Sequence, residues 1–248
     1  MSTPQIPYKR NAIRPVECLS GGWELVRDQY WLFVAMILVG FMIGSAVPLG
    51  ILMGPMMCGI YLAFFKRRRG EPIEFGTLFK GFDYFGNSVV AAILHTLPII
   101  VIVVPAYFVF YLGMVFSMVA MGDEPNAAGP IGVMLSFMIF ILVVFSVVLV
   151  VTLGFTFAYP LIVDRKLQGF DAVKLSFKAA MGNFFRLLGL VILCGLVNAV
   201  GVMVCYIGVF FTFPITYAAV AVAYEQVFGL AHPNEIASNL PPPPPKFD

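Results

Sequence analysis

Residues 27–69 read RDQYWLFVAMILVGFMIGSAVPLGILMGPMMCGIYLAFFKRRR. No charged side chain stands between Asp28 and Lys66, so Tyr30–Phe65 is one uncharged run, closed by Lys66-Arg67-Arg68-Arg69. One helix crosses a bilayer with about 20 residues, and this run is nearly twice as long. Its middle carries Pro48-Leu49-Gly50, which breaks a helix. The run predicts a helical hairpin that returns to its starting side. Leu187–Tyr224 has the same form, with Cys205-Tyr206-Ile207-Gly208 at its centre. Tyr84–Gly122 and Pro125–Val163 read as single spans separated by Gly122–Pro130. Six spans drawn this way put all 15 Lys and Arg on one side and leave only Asp123 and Glu124 on the other. The positive-inside rule makes the basic side cytoplasmic, with both termini there.

Composition agrees. A mean hydropathy of +0.95, with 60% hydrophobic and 11% charged residues, excludes a soluble globular protein. The net charge of +2 carries little information; its one-sided distribution is the signal. Met1–Gly22 is polar and holds no short apolar core followed by a cleavage site, so no cleavable signal peptide is expected. Cys18, Cys58, Cys194 and Cys205 show no CxxC spacing and read as small apolar packing residues. The tail, 231–248, is polar and contains the proline run Pro241–Pro245, expected to be extended and solvated.

The chain repeats. Val16, Leu19, Trp23, Val26 and Tyr30 are spaced three, four, three, four, an apolar helical stripe. Its polar face carries Glu17, Ser20, Glu24, Arg27 and Asp28. Phe170, Val173, Phe177, Ala180 and Phe184 repeat the spacing before the last run, opposite Asp171, Lys174, Ser176 and Lys178. Pro55 then matches Pro214, and Gly70 matches Gly229. Phe75, Leu78, Phe79, Phe82 and Phe85 form a looser middle copy beside Lys80. The expected fold is all-α: a six-span integral membrane protein of three parallel repeats, each an interfacial amphipathic helix followed by a helical hairpin. The division is a cytoplasmic segment 1–14, one membrane domain 15–230 with repeats 15–69, 70–163 and 164–230, and the tail. Each amphipathic helix either lies in the headgroup layer or packs under its own spans.

Span lengths qualify this picture. Tyr30–Val47 and Ile51–Phe65 are short enough that the first hairpin either spans or re-enters. Ser88–Met118 and Ile131–Val163 exceed a core of about 30 Å and must tilt, kink or protrude, with Pro98 and Pro105 as kink sites.

The sequence contains no catalytic constellation: no Ser/His/Asp set, no HExxH, no Gly-rich phosphate loop, no intramembrane carboxylate pair. An enzyme, a metal site and a cofactor are not expected, and nucleic-acid binding has no support. His95 and Asn198 lie inside spans, and Glu225 at the inner end of the last. Each is a functional candidate, weighed against an interhelical hydrogen bond or an ion pair with a nearby cation. Gly40/Gly44, Gly50/Gly54 and Ala219/Ala223 permit close helix approach. Lys66, Arg67, Arg68 and Arg69 set topology and would attract anionic headgroups. Trp23, Phe79, Phe177, Lys80, Lys174 and Lys178 are the lipid-interface candidates. No buried charge is expected.

Tyr159-Pro-Leu-Ile-Val-Asp-Arg-Lys-Leu-Gln-Gly-Phe-Asp-Ala-Val-Lys-Leu-Ser with Gly182-Asn183-Phe184-Phe185, and Gly70-Glu71-Pro72 with Leu78-Phe79-Lys80-Gly81-Phe82, resemble a group of bacterial integral-membrane proteins without a settled activity. That group is similar to the membrane domain appended to some glycerophosphodiester phosphodiesterases. The resemblance covers Val16 to Gly229, transfers no catalytic residue, and implies a six-span protein of the bacterial inner membrane. The leading expectation is a non-enzymatic scaffold, assembly or membrane-organising component. Its partners would be membrane lipids, anionic ones among them, and further copies of itself or other subunits. The alternative is a transporter or channel for a small or lipid-like solute.

Overall fold

Nine α-helices and one long 3₁₀ helix account for most of the described residues, which are 6–47, 50–121, 128–203 and 207–231 of this computed structural model. The α-helices are α1 (Pro15–Val26), α2 (Tyr30–Ser45), α3 (Met53–Arg68), α4 (Phe85–Met121), α5 (Ala128–Phe155), α6 (Ala158–Arg165), α7 (Gly169–Gly182), α8 (Phe184–Met203) and α9 (Gly208–Phe228). The 3₁₀ helix is Phe75–Tyr84, opened by a capping box in which Glu74 and Thr77 satisfy each other's backbone amides. No strand occurs among the described residues, so the all-α class holds. Pro48, Leu49, Asp123, Glu124, Cys205 and the proline-rich tail lie outside them, and the expectations for those positions with them.

Five stretches are long and apolar enough to cross a membrane: Pro15–Ser45, Phe75–Val119, Pro130–Arg165, Phe184–Met203 and Gly208–Phe228. The remaining expected span corresponds to α3, which is 16 residues long. At 1.5 Å per residue that is about 24 Å, short of a hydrocarbon core of about 30 Å. Eleven of those residues are buried, from Gly54 to Phe65. The apolar part of α3 is thus enclosed on most sides by protein, and the helix closes on the charged Lys66, Arg67 and Arg68. By contrast α4, with 37 residues, runs about 56 Å and contains both Pro98 and Pro105.

The chain forms two compact bodies. The first joins the described residues of Met1–Ile93 and Leu153–Asp248. Here α3 contacts α2, α6, α9 and the 3₁₀ helix, and Phe33 stacks on Phe64 with ring centroids 5.0 Å apart. The short helices dock through their smallest residues. A Cβ added to Gly22 of α1 would lie 2.7 Å from the Ala219 amide nitrogen and 2.8 Å from the Ile215 carbonyl oxygen of α9. A Cβ on Gly81 would meet the Pro55 carbonyl oxygen and lie 2.5 Å from the Gly59 amide nitrogen of α3. Ser176 of α7 donates its hydroxyl to the Gly154 carbonyl and accepts from the Phe157 amide at 3.1 Å. Only hydrogen or a small hydroxymethyl group fits at such crossings.

The second body, Leu94–Thr152, is an antiparallel helix pair. Phe110 stacks on Phe140 at 5.2 Å and tilts against Phe137 at 5.8 Å. Gly113 faces Ser136, and Gly132 faces Ser117, whose hydroxyl donates to the Gly113 carbonyl at 2.8 Å. Most other side chains of the pair are apolar and exposed.

Candidate membrane-interface rim

One end of the first body gathers most of its charge. The basic run Lys66–Arg69 closes α3, and its members reach acids from across the sequence. Lys66 lies 3.9 Å from Glu71. Arg67 pairs with Asp28, just beyond α1. Arg68 donates its Nε to both carboxylate oxygens of Glu225 on α9, at 2.7 and 2.9 Å. Arg69 donates to Asp164 on α6 at 2.7 Å. The run read as a topology signal and a lipid attractor is thus also the tie between helix ends. Glu225, read as a partner for a nearby cation, has Arg68.

Asp164 is the centre of this network. It is 2% exposed, and Arg165 beside it is 4% exposed. Besides Arg69, its carboxylate accepts from the Tyr224 hydroxyl at 2.9 Å and the Ala231 amide at 3.0 Å, with Arg165 Nε 3.6 Å away. Arg165 also donates to the Phe228 carbonyl at 3.0 Å. This corrects the expectation that no charge is buried. The pair sits where α3, α6 and α9 converge, and packing at that end encloses groups that hydropathy assigns to the water side. Several donors around one carboxylate are what make such burial tolerable. The sequence showed Asp164-Arg165 only as a polar stop after an apolar run.

The N-terminal segment is strapped across the neighbouring corner. Lys9 donates its amide to the Val227 carbonyl at 2.9 Å. Asn183, buried between α7 and α8, donates to the Lys9 carbonyl at 3.1 Å and accepts from the Ala12 amide at 3.0 Å. The Arg14 amide donates to Gln226 at 2.9 Å, and Arg186 donates to the Ile13 carbonyl at 3.4 Å. Asn183 and Gln226 carried no signal in sequence, because a lone amide side chain acquires a role only from what folds against it. Beside the strap lies a shallow depression lined by Ile13, Arg14, Pro15, Val16, Glu17 and Arg186.

The interface candidates divide. Trp23 is 47% exposed, edge-on to Tyr30 at 5.8 Å. Phe79 is exposed with Phe75, Phe82 and Phe85. Phe177 is half-buried, its ring against Gly154 and edge-on to Phe155 at 5.4 Å. Lys80, Lys174 and Lys178 are exposed. So α1 and α7, alike in sequence, differ in what their central aromatic residue touches. Asn198 accepts from the Thr212 hydroxyl at 2.7 Å, an interhelical bond between α8 and α9. His95 lies half-buried in the second body. Among the described residues no three His, Cys, Asp or Glu side chains converge as metal ligands. Compared with protein-family models, curated proteins and solved structures, the chain matches none of them.

Proposed function

We propose that this is a non-enzymatic, multi-pass protein of the inner membrane that organises or assembles membrane components through its interfacial helices and cytoplasmic rim. One observation carries the reading. Three short amphipathic helices each dock on another helix, α1 on α9, the 3₁₀ helix on α3, and α7 on α6. The docking residues are Gly22, Gly81 and Ser176; Gly22 and Ser176 immediately precede Trp23 and Phe177, and Gly81 follows Phe79-Lys80. This shared placement supports three parallel repeats closed head to tail, with both termini cytoplasmic and α3 paired with α2 as one hairpin. A closed, ion-paired rim edged with exposed aromatic residues suits contact with lipid and with other copies. The internal bond of Asn198 to Thr212 gives that amide a structural role, which favours this reading over a solute path through α8 and α9. The test is the mass of particles cut from the native membrane with an amphipathic polymer, without detergent. Assemblies larger than one 27.2 kDa chain are expected. Particles that hold one copy and no other protein would overturn the proposal.

A further inference from the structure

The strap makes a second basic cluster that the sequence keeps dispersed. Lys9, Arg10 and Arg14 belong to the N-terminal segment, and Arg186 opens α8. The Asn183 hydrogen bonds lay residues 9–12 over the α7–α8 corner, so that Arg10 packs 3.5 Å from where a Cβ on Gly182 would stand. Arg14 and Arg186 both line one shallow depression. Lys9 and Arg10 are exposed and have no acidic partner among the described residues. Among the described residues Arg14 is paired only with Glu17, 3.0 Å away, and both side chains are more than half exposed. An exposed pair of this kind is worth little and exchanges readily for another anion. The contrast with Arg68 and Arg69 is direct: those two cations are held by the largely buried carboxylates of Glu225 and Asp164.

Large apolar side chains flank the cluster. Val16 is 72% exposed at the edge of the depression, Phe185 beside Arg186 is 84% exposed, and Met181 is 71% exposed. Cations next to bare apolar residues match a molecule with an anionic head and an acyl body. We propose that the corner formed by the strap, α1 and α8 binds the phosphate of an anionic lipid headgroup. Arg14 and Arg186 grip the phosphate, Lys9 and Arg10 supply its field, and Val16 and Phe185 lie along the first acyl segments. Arginine suits the role because its planar fork offers paired donors to phosphate oxygens. Glu17 is the internal competitor for Arg14. This site rests on the reading of the rim as a membrane-facing surface.

Native mass spectrometry of the full-length, detergent-solubilised chain, titrated with phosphatidylglycerol or phosphatidylcholine, tests the assignment. Phosphatidylglycerol should be retained preferentially. Loss of one surface cation should weaken it roughly fivefold, and Arg14→Gln with Arg186→Gln about thirtyfold. Arg27→Gln with Lys166→Gln, exposed cations outside the depression, should cost less than about threefold, by the same screening. Glu17→Gln should tighten binding, because it frees Arg14, and it disturbs no buried group should an arginine variant fail to fold. Inorganic phosphate should not displace the lipid. Equal losses from the two double variants would show diffuse attraction and overturn the site. Unchanged or weaker binding in Glu17→Gln would do the same, and full displacement by inorganic phosphate would reassign it to a soluble anion. The particle-mass experiment uses neither these variants nor added lipid, so the two readings fail separately.

Discussion

Replacing Asp164 by alanine should be among the most damaging single substitutions at the rim. The carboxylate is almost wholly buried and receives Arg69, the Tyr224 hydroxyl and the Ala231 amide within 3.0 Å. Alanine removes the acceptor and leaves Arg69 one-third exposed, Arg165 enclosed beside a cavity and the Tyr224 hydroxyl buried without that bond. Breaking a buried ion pair from one side costs about 3–5 kcal/mol, because the remaining charge stays desolvated. Tyr224→Phe deletes one charge-assisted bond and leaves the carboxylate its other donors, for a cost of about 1.5–3 kcal/mol. Arg67→Gln removes a pair in which Asp28 is 58% exposed, and should cost about 0–1 kcal/mol. Equilibrium unfolding in mixed micelles, followed by helical circular dichroism, gives all three differences on one scale. The expected order is Asp164→Ala, Tyr224→Phe, Arg67→Gln. A result within about 1 kcal/mol of Arg67→Gln for the alanine variant would refute the idea that this network locks α3, α6 and α9 together.

Three other outcomes are expected. Gly22→Val should destabilise by about 1–3 kcal/mol or more by forcing α1 off α9, while Gly76→Ala, with nothing within 4 Å, should be near neutral in the same melts. Asn198→Leu should cost only about 0.6 kcal/mol, and no more than about 1.7, the range for a hydrogen bond between helices in a membrane; a larger loss would show that the Thr212 contact is not its whole role. In a Trp31→Phe background, Trp23 fluorescence should be quenched by lipids brominated high on the acyl chain and little by bromine near its end, and quenching by neither would remove Trp23 from the interface.

Much of the architecture was written locally. Charge absence over Tyr30–Phe65 and its neighbours, with breakers at predictable places, requires helices in an apolar medium. Hydropathic length is additive along the chain, so it survives without knowledge of contacts. Additivity does not reveal enclosure: eleven residues of α3, from Gly54 to Phe65, are buried within the protein, and hydropathy shows them only as apolar. The amphipathic stripes foretold three short helices, yet could not foretell that Trp23 stays at the surface while Phe177 meets Gly154.

Only the tertiary structure decided what the charges do. Arg67, Arg69 and Arg68 find their acids 39, 95 and 157 residues away, and the Asn183 side chain reaches back 171 and 174 residues to the strap. The absence of charge from the long apolar runs is legible in the sequence, since it follows from the cost of moving charge through lipid. Which cation is neutralised by a partner, and which is left exposed, depends on angles and distances between helix ends. Those are set by close crossings at Gly22, Gly81 and Ser176, where a single methyl group would change the geometry.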